Sequence, residues 1–222
     1  MRILAELQHK IGYQFQNEAI LKLALTHRSA EPIHNERLEF IGDSIVNLIV
    51  GEALFHAHLS EPEGELSRWR AALVQRETLA DLATALDLQQ FIIVGPGEKK
   101  MGGHERPSTL SNTLEAIFGA LYFDAGFEKT KEIILNLYAD RLSVTHIQNI
   151  QKDPKTLLQE WLQARQYPLP TYVVIATHGQ DHDTLFQISC ELSPLNLSAV
   201  GEGSSKRKAE QDAAKNMLSL LT

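Results

Sequence analysis

A single cysteine, Cys190, stands in a chain of 222 residues. One thiol cannot form an intrachain disulfide and cannot build a multi-thiolate metal site. No apolar run approaches the ~18 residues that a membrane span requires. The opening residues, Met1-Arg2-Ile3-Leu4-Ala5-Glu6, lack the pattern of a secretory leader. The expectation is a cytoplasmic protein with no membrane partner. Positive charge is also scarce. Lys and Arg number 21 against 28 Asp and Glu, a net charge of −7. That balance argues against a nucleic-acid partner unless basic residues gather locally. They do so once, at Lys206-Arg207-Lys208. Internal repeats and low-complexity tracts are absent. Nothing suggests a Ser/His/Asp triad or an organic cofactor.

An apolar fraction of 43% is enough for a packed core. The hydrophobic period divides the chain in two. Helical spacing dominates the first part, over Ile20 to Leu25, Leu38 to Leu54, Leu66 to Val74, Leu79 to Leu88, Leu114 to Phe123 and Ile133 to Leu142. The glycines between Phe91 and Gly103 mark a loop. From Pro154 the order becomes α-β-β-β-α. Leu157, Leu158, Trp161 and Leu162 make a helical stripe. Tyr172 to Ala176 is β-branched, Phe186 to Leu192 alternates, Leu197 to Val200 adds a third strand, and a last helix turns Ala209, Ala213 and Met217 inward. The predicted architecture is an all-α domain over 1–147, a polar linker over 148–153 and a small α+β domain over 154–222.

The segment Asn35-Glu36-Arg37-Leu38-Glu39-Phe40-Ile41-Gly42-Asp43-Ser44 is the most informative. At about 100° per residue, Glu36, Glu39 and Asp43 share one helix face. Such crowding is tolerated when the stripe is solvated, the commoner case, or when it binds a cation. Farther along, Asn112 and Glu115 share a face of a helix that also carries Ala116, Gly119 and Ala120. Small residues there, with Gly42 opposite, predict a tight crossing that gathers Glu39, Asp43 and Glu115. Oxygen donors without Cys or paired His suit a hard cation, Mg²⁺ or Mn²⁺. Phosphodiester hydrolysis is the chemistry such a site favours.

Asn35 to Ser44 resembles the signature of the ribonuclease III family, commonly Asn-Glu-Arg-Leu-Glu-Phe-Leu-Gly-Asp-Ser, and differs from it only at Ile41. Ala24-Leu25-Thr26-His27-Arg28-Ser29, Gly95-Pro96-Gly97-Glu98 and Leu114-Glu115-Ala116 resemble further family segments in the same order. The resemblance implies an all-α endonuclease domain in a homodimer that cuts double-stranded RNA, leaving 5′-phosphates, 3′-hydroxyls and short 3′ overhangs. It implies roles in ribosomal RNA precursor processing and messenger RNA turnover. It makes Glu39, Asp43, Asn112 and Glu115 the metal set, with Asp43 and Glu115 the catalytic residues. Mg²⁺ would be the ion, with Mn²⁺ able to substitute. Glu36 and Glu63 become accessory acids, and Phe40 a dimer-interface residue rather than a core phenylalanine. One position departs from the pattern, because Asn112 stands where the family has Asp. The loss of that charge predicts weaker divalent binding. It also keeps open an alternative, a double-stranded RNA-binding regulator with attenuated or absent cleavage.

Residues 154 to 222 resemble the double-stranded RNA-binding domain, through Pro154 to Glu160, Pro168 to Tyr172 and Gly201 to Glu210. Such modules read the shape of a duplex over ~16 bp. By that resemblance Thr156, Gln159, Glu160 and Gln163 face the minor groove and His182 enters the next one. Lys206, Arg207 and Lys208 track phosphates at a helix start. Taken singly, His182 reads as a loop histidine, Trp161 as core and Cys190 as a buried structural thiol.

Overall fold

Leu4, Leu7 and Ile11 recur at helical spacing, and the chain begins with a helix that the sequence reading passed over, α1 (Arg2–Ile11). The computed structural model describes residues 2–143, 147, 153–178 and 184–221. Two compact units divide the chain, residues 1–150 and 151–222. Residues 148–152 of the expected linker lie outside the described residues, and so does His182.

In the first unit Asn17 caps α2 (Glu18–Ala24) by accepting the Ala19 N–H. A long helix follows, α3 (Glu36–Ala57), which buries Leu38, Gly42, Ile45, Val46, Ile49, Val50 and Leu54. Next come α4 (Glu63–Val74) and α5 (Arg76–Ala85). The expected helix to Leu88 stops at Ala85, since Asp87 takes a left-handed φ of 56° and the chain resumes as a short 3-10 turn at Leu88–Gln90. The expected loop from Phe91 to Gly103 contains one helical turn, α6 (Pro96–Lys100). Pro96 at its first position, with φ already set, starts it despite the surrounding glycines. α7 (Pro107–Ala125) also starts on a proline. Gly126, at φ 79°, ends it and leads into α8 (Phe127–Leu137), so that helix lies several residues earlier than Ile133 to Leu142.

α7 is the central helix. Leu110, Leu114, Ile117, Phe118, Ala120 and Leu121 are all buried, as befits a helix apolar on most of its faces. Its most extensive packing is against α3. A Cβ on Gly42 would lie 1.7 Å from the Glu115 carbonyl oxygen, and one on Gly119 would lie 2.2 Å from that of Leu38. The two glycines face each other, so the two backbones touch where the small residues predicted.

In the second unit Asp153 caps α9 (Pro154–Gln163), accepting from the Thr156 N–H at 3.1 Å and the Thr156 hydroxyl at 2.7 Å. Three antiparallel strands follow in order, β1 (Thr171–His178), β2 (Leu185–Leu192) and β3 (Leu197–Gly203), then α10 (Lys206–Leu221). Tyr172 pairs with Cys190 and Cys190 with Ala199, and that face of the sheet turns to the helices. Leu158, Leu162, Cys190, Ala213, Ala214 and Met217 form the core. Gly201 permits a close approach, because a Cβ there would sit 2.0 Å from the Ala213 nitrogen of α10. Cys190 is buried as expected. Trp161 is a half-buried residue at the core's edge. Its ring stacks on Tyr167 at 6.3 Å and carries the Arg165 guanidinium at 4.0 Å.

Candidate functional site

The acid stripe lies along the rim of the α3–α7 crossing. Glu36 and Asp43 are exposed and Glu39 is half-buried. Glu115 projects from α7 beside them, and its main-chain carbonyl is the group that Gly42 admits. Burial, then the charges of Asp43 and Glu39, pushes the Glu115 carboxyl up to about 8. Burial and the neighbouring Glu36 also raise Glu39, while a hydrogen bond from Asn112 works the other way. These mutual effects place Glu39, Asp43 and Glu115 in one electrostatic cluster, with Glu36 at its end. Asp43 is steadied by Asn47, whose amide donates to its Oδ1 at 3.0 Å. Asn112 joins the cluster through Glu39, and its carbonyl oxygen accepts from the Ser111 hydroxyl at 3.2 Å.

The donor chemistry fits a hard cation. Every donor is an oxygen, and the crowding that lifts Glu115 is what a divalent charge relieves. Among the described residues, no three His, Cys, Asp or Glu groups close into a ready ion cage. Asn112 matters for that reason. It eases the carboxyl of Glu39, whereas an aspartate there would add to the repulsion.

Beside the acids is a pocket of about 420 Å³, lined by His27, Arg28, Asn35, Glu36, Glu39, Ser108, Thr109 and Asn112. Sequence reasoning used Thr26 to Ser29 only as a marker of resemblance. Burial lowers the His27 ring's affinity for a proton. The Arg28 Nη1 lies 3.4 Å from Glu36. The signal for this wall was the polar pair between Leu25 and the acid helix, in a segment with no helical reading of its own.

Glu63 does not join the cluster within the chain. It accepts from the Ser67 hydroxyl at 2.6 Å and lines a separate hollow of about 450 Å³ with Asn47, Leu48, Phe55, Leu66 and Arg70. Phe40 is 72% exposed, which excludes the core alternative. It shares a helix face with Leu48 and Phe55, which are 58% and 61% exposed.

In the second unit Gln159, Glu160 and Gln163 are exposed opposite Leu158 and Leu162, and Thr156 is half-buried by its own cap. Lys206, Arg207 and Lys208 are exposed on the first turn of α10, and Lys208 Nζ reaches Ser204 Oγ at 3.3 Å. No helix among the described residues is long and apolar enough to cross a membrane.

Comparison with known proteins follows the same division. Residues 17–142 match the model of a family described as ribonuclease-III-like, and residues 154–221 match the double-stranded RNA binding motif. The chain is 48% identical over 218 residues to Ribonuclease 3 of Colwellia psychrerythraea, a match covering 98% of this chain and 82% of that protein. Two solved structures of the nuclease domain of ribonuclease III from Campylobacter jejuni are also similar. One is 44% identical with a TM-score of 0.61, covering 64% of this chain and 97% of the other. The second, described for structural flexibility in a region involved in dimer formation, is 45% identical with a TM-score of 0.60, covering 61% and 95%.

Proposed function

The chain belongs to the ribonuclease III family, and from that membership we propose that it is an endoribonuclease hydrolysing phosphodiester bonds in double-stranded RNA. The observation that supports the reading is the electrostatic coupling of Glu115 to Asp43 and Glu39 beside the contact of Gly42 with Gly119. Glu39, Asp43, Glu115 and the Asn112 carbonyl are the groups that would hold Mg²⁺, with Mn²⁺ able to replace it. When bound, such an ion supplies water activation and charge neutralisation at the phosphate. Burial and the charges of Asp43 and Glu39 hold the Glu115 carboxyl up at about 8, and a bound cation would favour its ionised form. Asp43, fixed by Asn47, is pre-oriented. Glu36 stands at the outer end of the cluster.

A homodimer suits the exposed stripe of α3. The hollow lined by Leu48, Phe55 and Leu66 offers a seat of about 450 Å³ for a Phe40 ring from a second copy. That arrangement brings Glu63, which lines the same hollow, to the subunit interface. Two sites related by a two-fold axis, each cutting one strand, give 5′-phosphate and 3′-hydroxyl ends with short 3′ overhangs. Thr156, Gln159, Glu160 and Gln163 present a polar helix face for the minor groove, and Lys206, Arg207 and Lys208 supply phosphate contacts. The cellular roles that follow are ribosomal RNA precursor processing and messenger RNA turnover in the cytoplasm. The alternative, binding without cleavage, is weaker, because all three acids are retained and Asn112 still offers a carbonyl oxygen.

The test is to incubate the full chain with a labelled RNA duplex in Mg²⁺ and in Mn²⁺. Short fragments with 5′-phosphates are expected. Asp43→Asn and Glu115→Gln should each lower cleavage at least ~10²-fold while duplex binding persists. A duplex that is bound and stays intact in both ions overturns the reading in favour of a regulator.

A further inference from the structure

Arg28 carries the only permanent positive charge in the lining of the 420 Å³ pocket beside the acids. Its side chain is 71% exposed, and its ion pair with Glu36 is long, at 3.4 Å. A pair so wet contributes little to stability. The loop that carries it is, by contrast, fastened at many points. Its Thr26 carbonyl accepts the Asn35 N–H at 2.9 Å, and the Asn35 side chain donates to the Ala24 carbonyl at 3.2 Å. The His27 N–H donates to Ile93 at 2.9 Å, the Ile93 N–H to Leu25 at 2.8 Å, and the Gly95 N–H to the Ser29 hydroxyl at 2.9 Å. Gly95 itself is pressed on Ser29, where a Cβ would fall 2.1 Å from the carbonyl oxygen. A rigid loop that displays a cation with so little structural use is the arrangement of a ligand-positioning residue.

Arg28, Glu36, Glu39 and the exposed Ser108, at the start of α7, all line this one pocket. We propose that Arg28 holds an RNA backbone phosphate neighbouring the scissile one, and that the pocket between Arg28 and Glu39 receives the intervening nucleotide. The inference rests on the endoribonuclease reading. The planar guanidinium presents two parallel donors to two phosphate oxygens, which a lysine cannot reproduce. Ser108 offers a hydroxyl to the ribose. Arg28 is thus a positioning residue that sets where the strand lies relative to the acids, and it takes no part in the proton transfers.

The experiment compares the full chain with Arg28→Ala and Arg28→Lys on one labelled duplex. Arg28→Ala should lower kcat/KM about tenfold, the size of one lost charge-assisted hydrogen bond, mainly through KM, with an unchanged melting temperature. Binding measured without divalent ions should lose about one from the slope of log affinity against log salt. Arg28→Lys should restore that slope and recover only part of kcat/KM. An Arg28→Ala chain with wild-type KM and wild-type slope overturns the proposal. So does a loss of activity with a lower melting temperature and an unchanged slope. A wild-type chain that binds and never cuts would overturn the endoribonuclease reading instead, and the salt slope would still decide the role of Arg28.

Discussion

Asn112 is the residue at which the chain most directly sets its own chemistry. It eases the charge on Glu39, where an aspartate would add to the crowding. Asn112→Asp should therefore raise Mg²⁺-dependent cleavage and lower the Mg²⁺ concentration at half-maximal rate. Equal rates for the two chains throughout a Mg²⁺ titration would contradict this. Glu115 gives a second prediction. Unfolded, its carboxyl loses a proton near its ordinary value of 4.5, and in the folded, metal-free chain only near 8. The native state therefore holds the extra proton between those values. Its contribution to stability is complete below 4.5 and is lost as pH rises through about 8. Melting temperatures of the metal-free chain should fall over that range relative to Glu115→Gln, and parallel curves for the two would refute it. The shared face of Glu36, Glu39 and Asp43 was legible in the sequence from helical spacing, and the approach of Glu115 from the small residues of the two helices. Arg28 was not, because its place in the pocket that Glu39 also lines depends on a loop tied to Ile93 and Gly95, far along the chain.

At the scale of elements, the α3–α7 crossing is the feature on which the site depends. Gly42→Ala would drive a methyl group into the Glu115 carbonyl, a backbone atom that cannot rotate away. The expected cost is at least ~3 kcal/mol, seen as a fall in urea midpoint or as insoluble protein. Gly64→Ala, where a Cβ meets nothing, is the control and should leave the midpoint near wild type. This crossing was readable from small residues at helical spacing. The turn of α6 was not, because Gly95, Gly97 and Gly102 masked a start that Pro96 is sufficient to provide. α1 was passed over although Leu4, Leu7 and Ile11 carried the pattern. In the second unit the alternation of Phe186, Ile188, Cys190 and Leu192 gave the strand and its buried face together. At the end of the last helix Leu221 packs on the core, while Leu220 is 58% exposed.

At the scale of the whole molecule, Phe40 is the residue whose exposure asks for a partner. Phe40→Asp should convert a dimer into a monomer in sedimentation and reduce paired cleavage of both strands, while helix content by circular dichroism is kept. A variant that sediments as a dimer would remove Phe40 from the interface. Neither the position of Glu63 nor the hollow it lines could be read from spacing, since both depend on where α4 lies against α3. The glycine contact has a last consequence. The distance between the acids of α3 and Glu115 is set by two main chains in direct touch, with no side chain acting as a spacer. Substitutions elsewhere in the core can shorten the lifetime of the folded site without altering its dimensions. Sequence drift among descendants of this chain can thus change their thermal tolerance while the two glycines hold the gauge of the site.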